Sequence, residues 1–243
     1  MLSCDLHIHS AYSRDGESSI QTILMRAQAV GLHAIAITDH DEICGAQEAV
    51  RLARMHAQDL QNFLVIPGIE VSTKQGHLIV LGVGELIEKG LSARATIKHA
   101  HEMGGFVIAP HPFHRYRHGI GLRDQQVLLE VDAIEVFNSR YIIGAVGSDN
   151  KRAHRFAEKH SIPKVAGSDA HHARYIGYGT TLVEAEWNTS SILTAIQSGK
   201  TVISGKKTPF RTYTRQSMKN SWRKVRSIPL RRVLMSGMRS RLK

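Results

Sequence analysis

The sequence predicts an α/β fold in which parallel βα units close, or nearly close, into a (β/α) barrel. Three observations carry this expectation. Short apolar runs alternate with segments of helical periodicity, which implies six or seven βα units. No G-x-G-x-x-G follows the first strand, which argues against an open dinucleotide-binding sheet. Polar residues recur where the apolar runs end, as they do on the C-terminal face of a barrel.

The elements follow in order. "DLHIHS" opens the chain as a strand. "SIQTILMRAQAVG" carries Ile20, Ile23, Leu24 and Ala27 at helical spacing, with Gly31 as its C-terminal stop. "HAIAITDHD" is a second strand and "AQEAVRLARMHAQ" a second helix. "NFLVIPGIEVST" and "GHLIVLGVG" are strands joined by a turn at residues 74–76. "SARATIKHAHEMGG" is a helix and "FVIAPHPF" a strand. "DAIEVFNS" and "IPKVAGSDAHH" are strands separated by the helix "NKRAHRFAEKHS". "TTLVEA" is a last short strand and "SSILTAIQSG" a last helix.

Length and charge set the domain organisation. The 243 residues are enough for one large α/β domain with a substantial core, or for two small ones. The net charge of +11 is not spread evenly. Residues 206–243 hold 13 Lys and Arg and no acid, leaving 19 basic and 21 acidic residues in 1–205. The expected organisation is therefore a near-neutral barrel over 1–205 and a basic tail over 206–243. Any argument from charge to a partner rests on the tail. Three readings of it compete. It is solvated and disordered, or it binds phosphate backbones with Trp222 and Tyr213 stacking on bases. Alternatively it forms an amphipathic helix after Pro229, with Leu230, Val233, Leu234 and Met238 on one side, suited to an anionic membrane surface. The longest apolar runs fall far short of a transmembrane segment, and the N-terminus lacks signal-peptide architecture. Cys4 and Cys44 form no framework, which favours a reducing, cytoplasmic setting.

The strand ends carry the chemistry. The first strand ends in His7 and His9, with Asp15 in the loop beyond. The second ends in Asp39, His40 and Asp41, and the third in Glu70. His77 begins the next, and His111, Glu135 and Asn138 follow on later strands. "GSDAHH" supplies Asp169, His171 and His172. Alternation along a strand projects His7 with His9, and Asp169 with His171. Imidazoles and carboxylates without thiolates are ligands for Zn, Mn or Fe. Eight or nine donors exceed the shell of one ion, so two or three divalent metal ions are expected. His33, His56, His99, His101, His154 and His160 lie within or beside helices and are not candidates. His114 and His118, in a loop, are left open.

Together these motifs resemble the PHP (polymerase and histidinol phosphatase) family. The resemblance rests on "DLHIHS" with Asp15, "ITDHD", "PGIEVS", His77, "HP" at 111–112 and "GSDAH", in that order over residues 3–205. It implies a distorted (β/α)7 TIM-like barrel, a trinuclear metal centre and phosphoester hydrolysis. Carried across motif by motif, it implies one metal on His7, His9, Glu70 and Asp169. A second would share Glu70 and take His77 and His111, and a third would take Asp15, His40 and His171. Arg14 stands between Ser13 and Asp15, where the family pattern reads Ser-Asp-Gly, so the third metal depends on Asp15 reaching the site. His114 competes with His111, and the family motif favours His111.

The expected function is a metal-dependent phosphoesterase that hydrolyses a small phosphorylated substrate or nucleotide by attack of metal-activated hydroxide on phosphorus. No Cys-x5-Arg loop and no Asp-x-Asp start offers a covalent nucleophile. Arg140, Arg115 and Arg117 are candidates to meet phosphate. His172 is a candidate to protonate the leaving group, and Asp39 to orient a ligand imidazole. The alternatives are an oligonucleotide-end exonuclease, a histidinol-phosphate phosphatase and a non-catalytic metal-binding module.

Overall fold

The computed structural model describes residues 1–56, 63–140 and 148–209. Nine strands and five helices follow one another as β1 (Leu2–Ile8), α1 (Ile20–Ala29), β2 (Ala34–Ile37), α2 (Cys44–Met55), β3 (Leu64–Ser72), β4 (His77–Leu81), α3 (Ala93–Glu102), β5 (Phe106–Ala109), β6 (Ala133–Asn138), α4 (Ser148–Lys159), β7 (Lys164–Gly167), β8 (Gly179–Val183), α5 (Thr189–Gln197) and β9 (Thr201–Gly205) among the described residues. Ser19, Ser92 and Asn188 cap α1, α3 and α5 by accepting a backbone N–H three residues on. Gly31, at φ +75°, lets the chain turn out of α1.

The sheet order is β7-β6-β5-β4-β3-β2-β1-β8-β9. β1, β2 and β3 pair in parallel, as do β5, β6 and β7, while β4 runs antiparallel to both its neighbours. That single reversed strand, made by the tight turn between β3 and β4, distorts an otherwise regular barrel. The sheet curls until β1 approaches β7. Ile8 bridges Ala170 in parallel, and His9 N–H donates to Ala170 C=O at 2.9 Å. Buried Asp5 accepts Ser168 N–H at 3.0 Å and Gly177 N–H at 2.8 Å across the same seam. Burial pushes its carboxyl up to about 6 against the opposing pull of those hydrogen bonds. Thr181 of β8 satisfies both polar groups of Ala166 in β7, donating to C=O at 3.1 Å and accepting N–H at 2.8 Å. The result is a nearly closed barrel of seven strands with the β8–β9 hairpin added along β1.

Two apolar layers hold it. Ile8, Ile35, Ile37, Ile69, Val71 and Ile134 pack with α1–α4 outside the sheet. Cys4, Leu6, Ala34, Ala36, Ile66 and Ala133 fill the other face, with Ile192 and Ile196 of α5. The alternation between layers breaks at two bulges. One lies between Asp5 and Ile8 in β1, the other between Glu135 and Phe137 in β6. Each adds a residue and re-aims the side chains beyond it.

Two expectations need correcting. "TTLVEA" pairs antiparallel to β1 instead of extending the parallel series, and a ninth strand at Thr201–Gly205 was not anticipated. Residues 206–208 run back over the strand ends, where Thr208 N–H donates to Ser139 C=O at 2.9 Å. The expected basic tail lies outside the described residues from 210 onward.

Candidate metal centre

All nine expected donors gather at the C-terminal end of the barrel. The bulge in β1 brings His7 and His9 inward, and their Nε2 atoms stand 3.1 Å apart. Glu70 lies among them, with Oε2 3.4 Å from His7 Nε2, 3.3 Å from His9 Nε2 and 3.1 Å from His40 Nδ1. Its Oε1 lies 2.9 Å from His77 Nδ1 and 3.2 Å from His111 Nε2. Backbone pairing sets up the approach of His40, which bridges Glu70 in parallel register. Asp169 Oδ1 stands 3.7 Å from His7 Nε2 and 3.5 Å from His9 Nε2. Asp15 Oδ2 stands 3.1 Å from His171 Nε2 and 3.9 Å from His40 Nε2, so Asp15 reaches the cluster despite Arg14.

Four subsets bring donor atoms within 4.8 Å of one another: His9, Asp15, His40 and His171; His7, His9 and Asp169; His7, Glu70 and His111; and His40, Glu70 and His77. The grouping differs from the expected partition: Glu70 is absent from the Asp169 subset, His77 and His111 fall in separate subsets, and His40 belongs to two. His9 faces the Asp15 subset as well as Asp169, while Glu70 spans two subsets as expected. His114 belongs to none of them.

The donor set fits divalent cations. His9 Nδ1, His40 Nδ1, His111 Nδ1 and Glu70 Oε2 are buried without a hydrogen-bond partner. His40 Nδ1 and Glu70 Oε2 approach closely without hydrogen-bond angles, two lone pairs turned on the same space. Protein interiors rarely leave such groups unpaired, and a cation between them removes the cost. The electrostatics agree. Burial raises the carboxyl of Glu70, but His40, His77 and His7 outweigh it and hold the group well below its ordinary range. Burial lowers His7, but Glu135 and Glu70 overcome that and lift it to about 9. Burial dominates at His40, which falls to about 3, and at His111 and His171, which fall well below the ordinary value. Neutral imidazoles have lone pairs available to metals.

The backbone is strained at this point. His111 at φ +31° and Asp169 at φ +51° occupy the left-handed region at a cost of about 1–3 kcal/mol each. Glu135 Oε2 offsets this at His111 by accepting its N–H at 2.7 Å. Glu135 Oε1 lies 3.0 Å from His7 Nδ1, and Asn138 Nδ2 donates to Glu135 Oε2 at 2.8 Å and to Asp169 Oδ2 at 3.1 Å. Gly167 provides room for this packing, because a Cβ there would stand 2.4 Å from Glu135 Oε1 and 2.5 Å from His7 Cβ.

The arginines divide. Arg117 Nη1 pairs with Asp169 Oδ2, and Arg140 Nη1 lies 3.6 Å from Asp169 Oδ1 and 2.8 and 2.7 Å from the two ring nitrogens of His171. Arg115 is exposed and lines a surface groove with His118, Gly119, Leu122 and Arg123, away from these contacts. His172 points away from the cluster, its Nδ1 accepting Arg174 N–H at 3.2 Å and its Nε2 lying 3.1 Å from Arg174 Nη2. Asp39 does not orient an imidazole. It accepts Ser10 N–H and Ser10 Oγ–H, each at 2.6 Å. A small pocket beside the cluster is lined by His111, His114, Asn138, Arg140 and Asn150 among others. His114 there is held down to about 4 by burial and then by Arg117 and Arg140.

Comparison with known proteins agrees with this geometry. Residues 5–164 match the PHP domain family and residues 147–201 a PHP-associated family. An uncharacterized protein of Methanocaldococcus jannaschii is 35% identical over 157 residues, covering 60% of this chain and 88% of the relative. A 5'-3' exoribonuclease of Haemophilus influenzae is 28% identical over 205 residues, covering 80% of this chain and 63% of that protein, so this chain spans less than two thirds of it. A solved two-domain protein from Bacteroides vulgatus, containing a predicted PHP-like metal-dependent phosphoesterase, superposes with a TM-score of 0.66 at 22% identity over 84% of this chain and 65% of its own. PsfC from Pseudomonas syringae superposes with a TM-score of 0.63 at 16% identity over 90% of this chain and 98% of its own. The structural likenesses speak for the barrel, and the sequence matches identify the lineage: this chain belongs to the PHP domain family.

Proposed function

We propose that this protein is a metal-dependent phosphoesterase acting on a small phosphate ester or nucleotide. In this reading His7, His9, Asp15, His40, Glu70, His77, His111, Asp169 and His171 hold two or three divalent cations, with Zn, Mn and Fe as candidates. The observation that carries the reading is the convergence of five imidazoles on buried Glu70, whose Oε2 has no hydrogen-bond partner although His40 Nδ1 stands 3.1 Å away. Bound there, divalent cations lower the pKa of water and neutralise phosphate charge. The chain's own residues supply the rest. Glu135 and Asn138 hold His7, His111 and Asp169 in place. Arg117 and Arg140 stand beside the cluster, where a guanidinium fork suits phosphate oxygens. Neither Arg115 nor His172 is kept in the reaction, because each faces elsewhere.

A second reading is an exonuclease acting at oligonucleotide ends, supported by the similarity to the exoribonuclease over 80% of this chain. A non-catalytic module is disfavoured by the complete donor set, since a domain released from catalysis has no need to keep seven buried and two half-buried ligands. The test is metal analysis of the purified protein, followed by a panel of phosphomonoesters, nucleoside bisphosphates and short oligonucleotides. Hydrolysis should vanish with chelator and return with Mn or Zn. A fully metallated protein inert across the panel overturns the proposal.

A further inference from the structure

The chain returns to the metal centre after its last strand. Gly205 ends β9 beside β6, where a Cβ would stand 2.2 Å from the Phe137 ring and 2.8 Å from Tyr178 C=O, so the missing side chain permits the close approach. Lys206 anchors the segment, donating its N–H to Tyr178 C=O at 2.7 Å and placing Nζ 4.3 Å from the centroid of the Tyr178 ring. Thr208 is then buried, although Lys206, Lys207 and Pro209 are exposed. A lone buried hydroxyl in an exposed segment is placed by its partners. Thr208 N–H donates to Ser139 C=O at 2.9 Å, and Thr208 Oγ1 stands 3.2 Å from Ser139 Oγ.

The direction of this hydroxyl chain follows from its last member. Ser139 Oγ lies 2.6 Å from Ser168 C=O, which can only accept, so the single Ser139 hydroxyl proton is committed there. Thr208 must then donate to Ser139 Oγ. The relay runs from Thr208 through Ser139 to Ser168, all three buried. Ser168 is held on its other side as well, its N–H donating to Asp5 Oδ1 at 3.0 Å. The carbonyl of Ser168 belongs to the peptide that joins it to Asp169. The orientation of that peptide plane sets φ of Asp169, which is +51°. A residue with a side chain keeps such a conformation where the surrounding structure imposes it. The same Asp169 turns Oδ1 to His7 and His9, at 3.7 and 3.5 Å from their Nε2 atoms. Asn138 and Arg140, the chain neighbours of Ser139, both reach its carboxylate.

We propose that Ser139 and Thr208 are positioning residues of the metal centre, whose hydroxyl relay holds the Ser168–Asp169 peptide in the orientation that presents Asp169 to His7 and His9. Neither hydroxyl meets a metal. Each acts through Asp169, and the segment that follows β9 is thereby part of the support of the site. This deepens the metal-centre reading and rests on it.

The experiment titrates chelator-treated, full-length protein with manganese and, in parallel, with zinc, by calorimetry. Ser139→Ala should bind about tenfold more weakly than wild type, the lower end of the cost of removing an orienting partner. Thr208→Val keeps the shape and the backbone hydrogen bond but cannot donate to Ser139. It should bind about threefold more weakly, the scale of one neutral hydrogen bond. Thr208→Ser keeps the hydroxyl and should restore wild-type affinity. In an Asp169→Asn background Ser139→Ala should cost nothing further, because its effect passes through Asp169. Near-ultraviolet circular dichroism verifies that each variant is folded, and if Ser139→Ala does not fold, the two Thr208 variants decide. Wild-type affinity in Ser139→Ala and Thr208→Val overturns the proposal. So does a loss in Thr208→Val that Thr208→Ser fails to reverse, or an equal cost of Ser139→Ala with and without Asp169→Asn. A wild type that binds neither metal overturns the metal centre itself, a result distinct from a variant that binds as wild type does.

Discussion

Glu135 Oε1 lies 3.0 Å from Nδ1 of His7, while Nε2 on the far side of the same ring faces His9, Glu70 and Asp169. The buried carboxylate therefore fixes the ring and keeps a proton on Nδ1, so that the proton a cation displaces is the one on Nε2, toward the cluster. Through its other oxygen the same side chain fixes His111 and Asn138. One residue of β6 thus sets the orientation of donors carried by β1 and by the loop after β5.

That relationship makes Glu135 a positioning residue. Glu135→Gln keeps the shape but weakens the pull on the Nδ1 proton. Metal affinity should fall about 10–100-fold, read by titration of the chelator-treated protein with manganese or zinc, while the circular dichroism spectrum stays native. Wild-type affinity in Glu135→Gln would remove the role assigned to this contact.

Glu70 should behave differently from Asp15. Glu70 approaches five imidazoles, those of His7, His9, His40, His77 and His111, and belongs to two of the four donor subsets. Glu70→Gln should lower turnover by at least about 100-fold, the upper end of what orienting partners alone cost, and should reduce metal content measured by elemental analysis. Asp15 belongs to one subset. Asp15→Asn should lose metal from that subset only. Identical metal content in the two variants would contradict the division of donors described above.

Metal uptake should release protons. Burial alone would lower His7, but Glu135 and Glu70 raise it from 6.5 to about 9, so at neutral pH a cation displaces a proton from this ring. The linkage sign follows from a raised histidine. In the metal-free protein its stabilisation is fully present below 6.5 and is lost as pH rises through about 9. The thermal midpoint of chelator-treated protein should therefore decline across that window. Calorimetric enthalpies of metal binding at pH 7 should vary with the ionisation enthalpy of the buffer. Buffer-independent enthalpies would show that His7 enters the site already neutral.

Much of this site was legible in the sequence because its donors stand at strand ends, where alternation and motif order fix them. What escaped was phase. Glu135 and Asn138 are three apart and would face opposite sides of a regular strand, yet the bulge in β6 turns both to the cluster. No residue type announces that bulge. Arg115 and Arg117 sit in one turn of 3₁₀ helix, and only the rotation between them decides which meets Asp169 and which meets solvent. His171 and His172 separate for the same reason, as neighbours projecting to different sides. In the fold, β9 went unrecognised because "TVISG" is short, half-exposed and lies on the sheet edge, where burial leaves little pattern.

The seam of the barrel offers a test of the fold that leaves the metal donors untouched. Thr181 is fully buried, and its hydroxyl meets both the N–H and the C=O of Ala166 where β7 has no strand on that side. Valine has nearly the same shape but cannot form either hydrogen bond. Thr181→Val therefore leaves two buried backbone groups unpaired, at a cost of about 1–3 kcal/mol each when desolvated. Urea denaturation of the metal-free variant should show a lower midpoint with an unchanged slope, since the surface exposed on unfolding is the same. Metal content at saturating manganese should match wild type, because the change lies below the donor cluster and not within it. A midpoint equal to that of wild type would mean that the barrel closes through the Ile8–Ala170 bridge and the Asp5 clasp alone, with Thr181 contributing nothing to the seam.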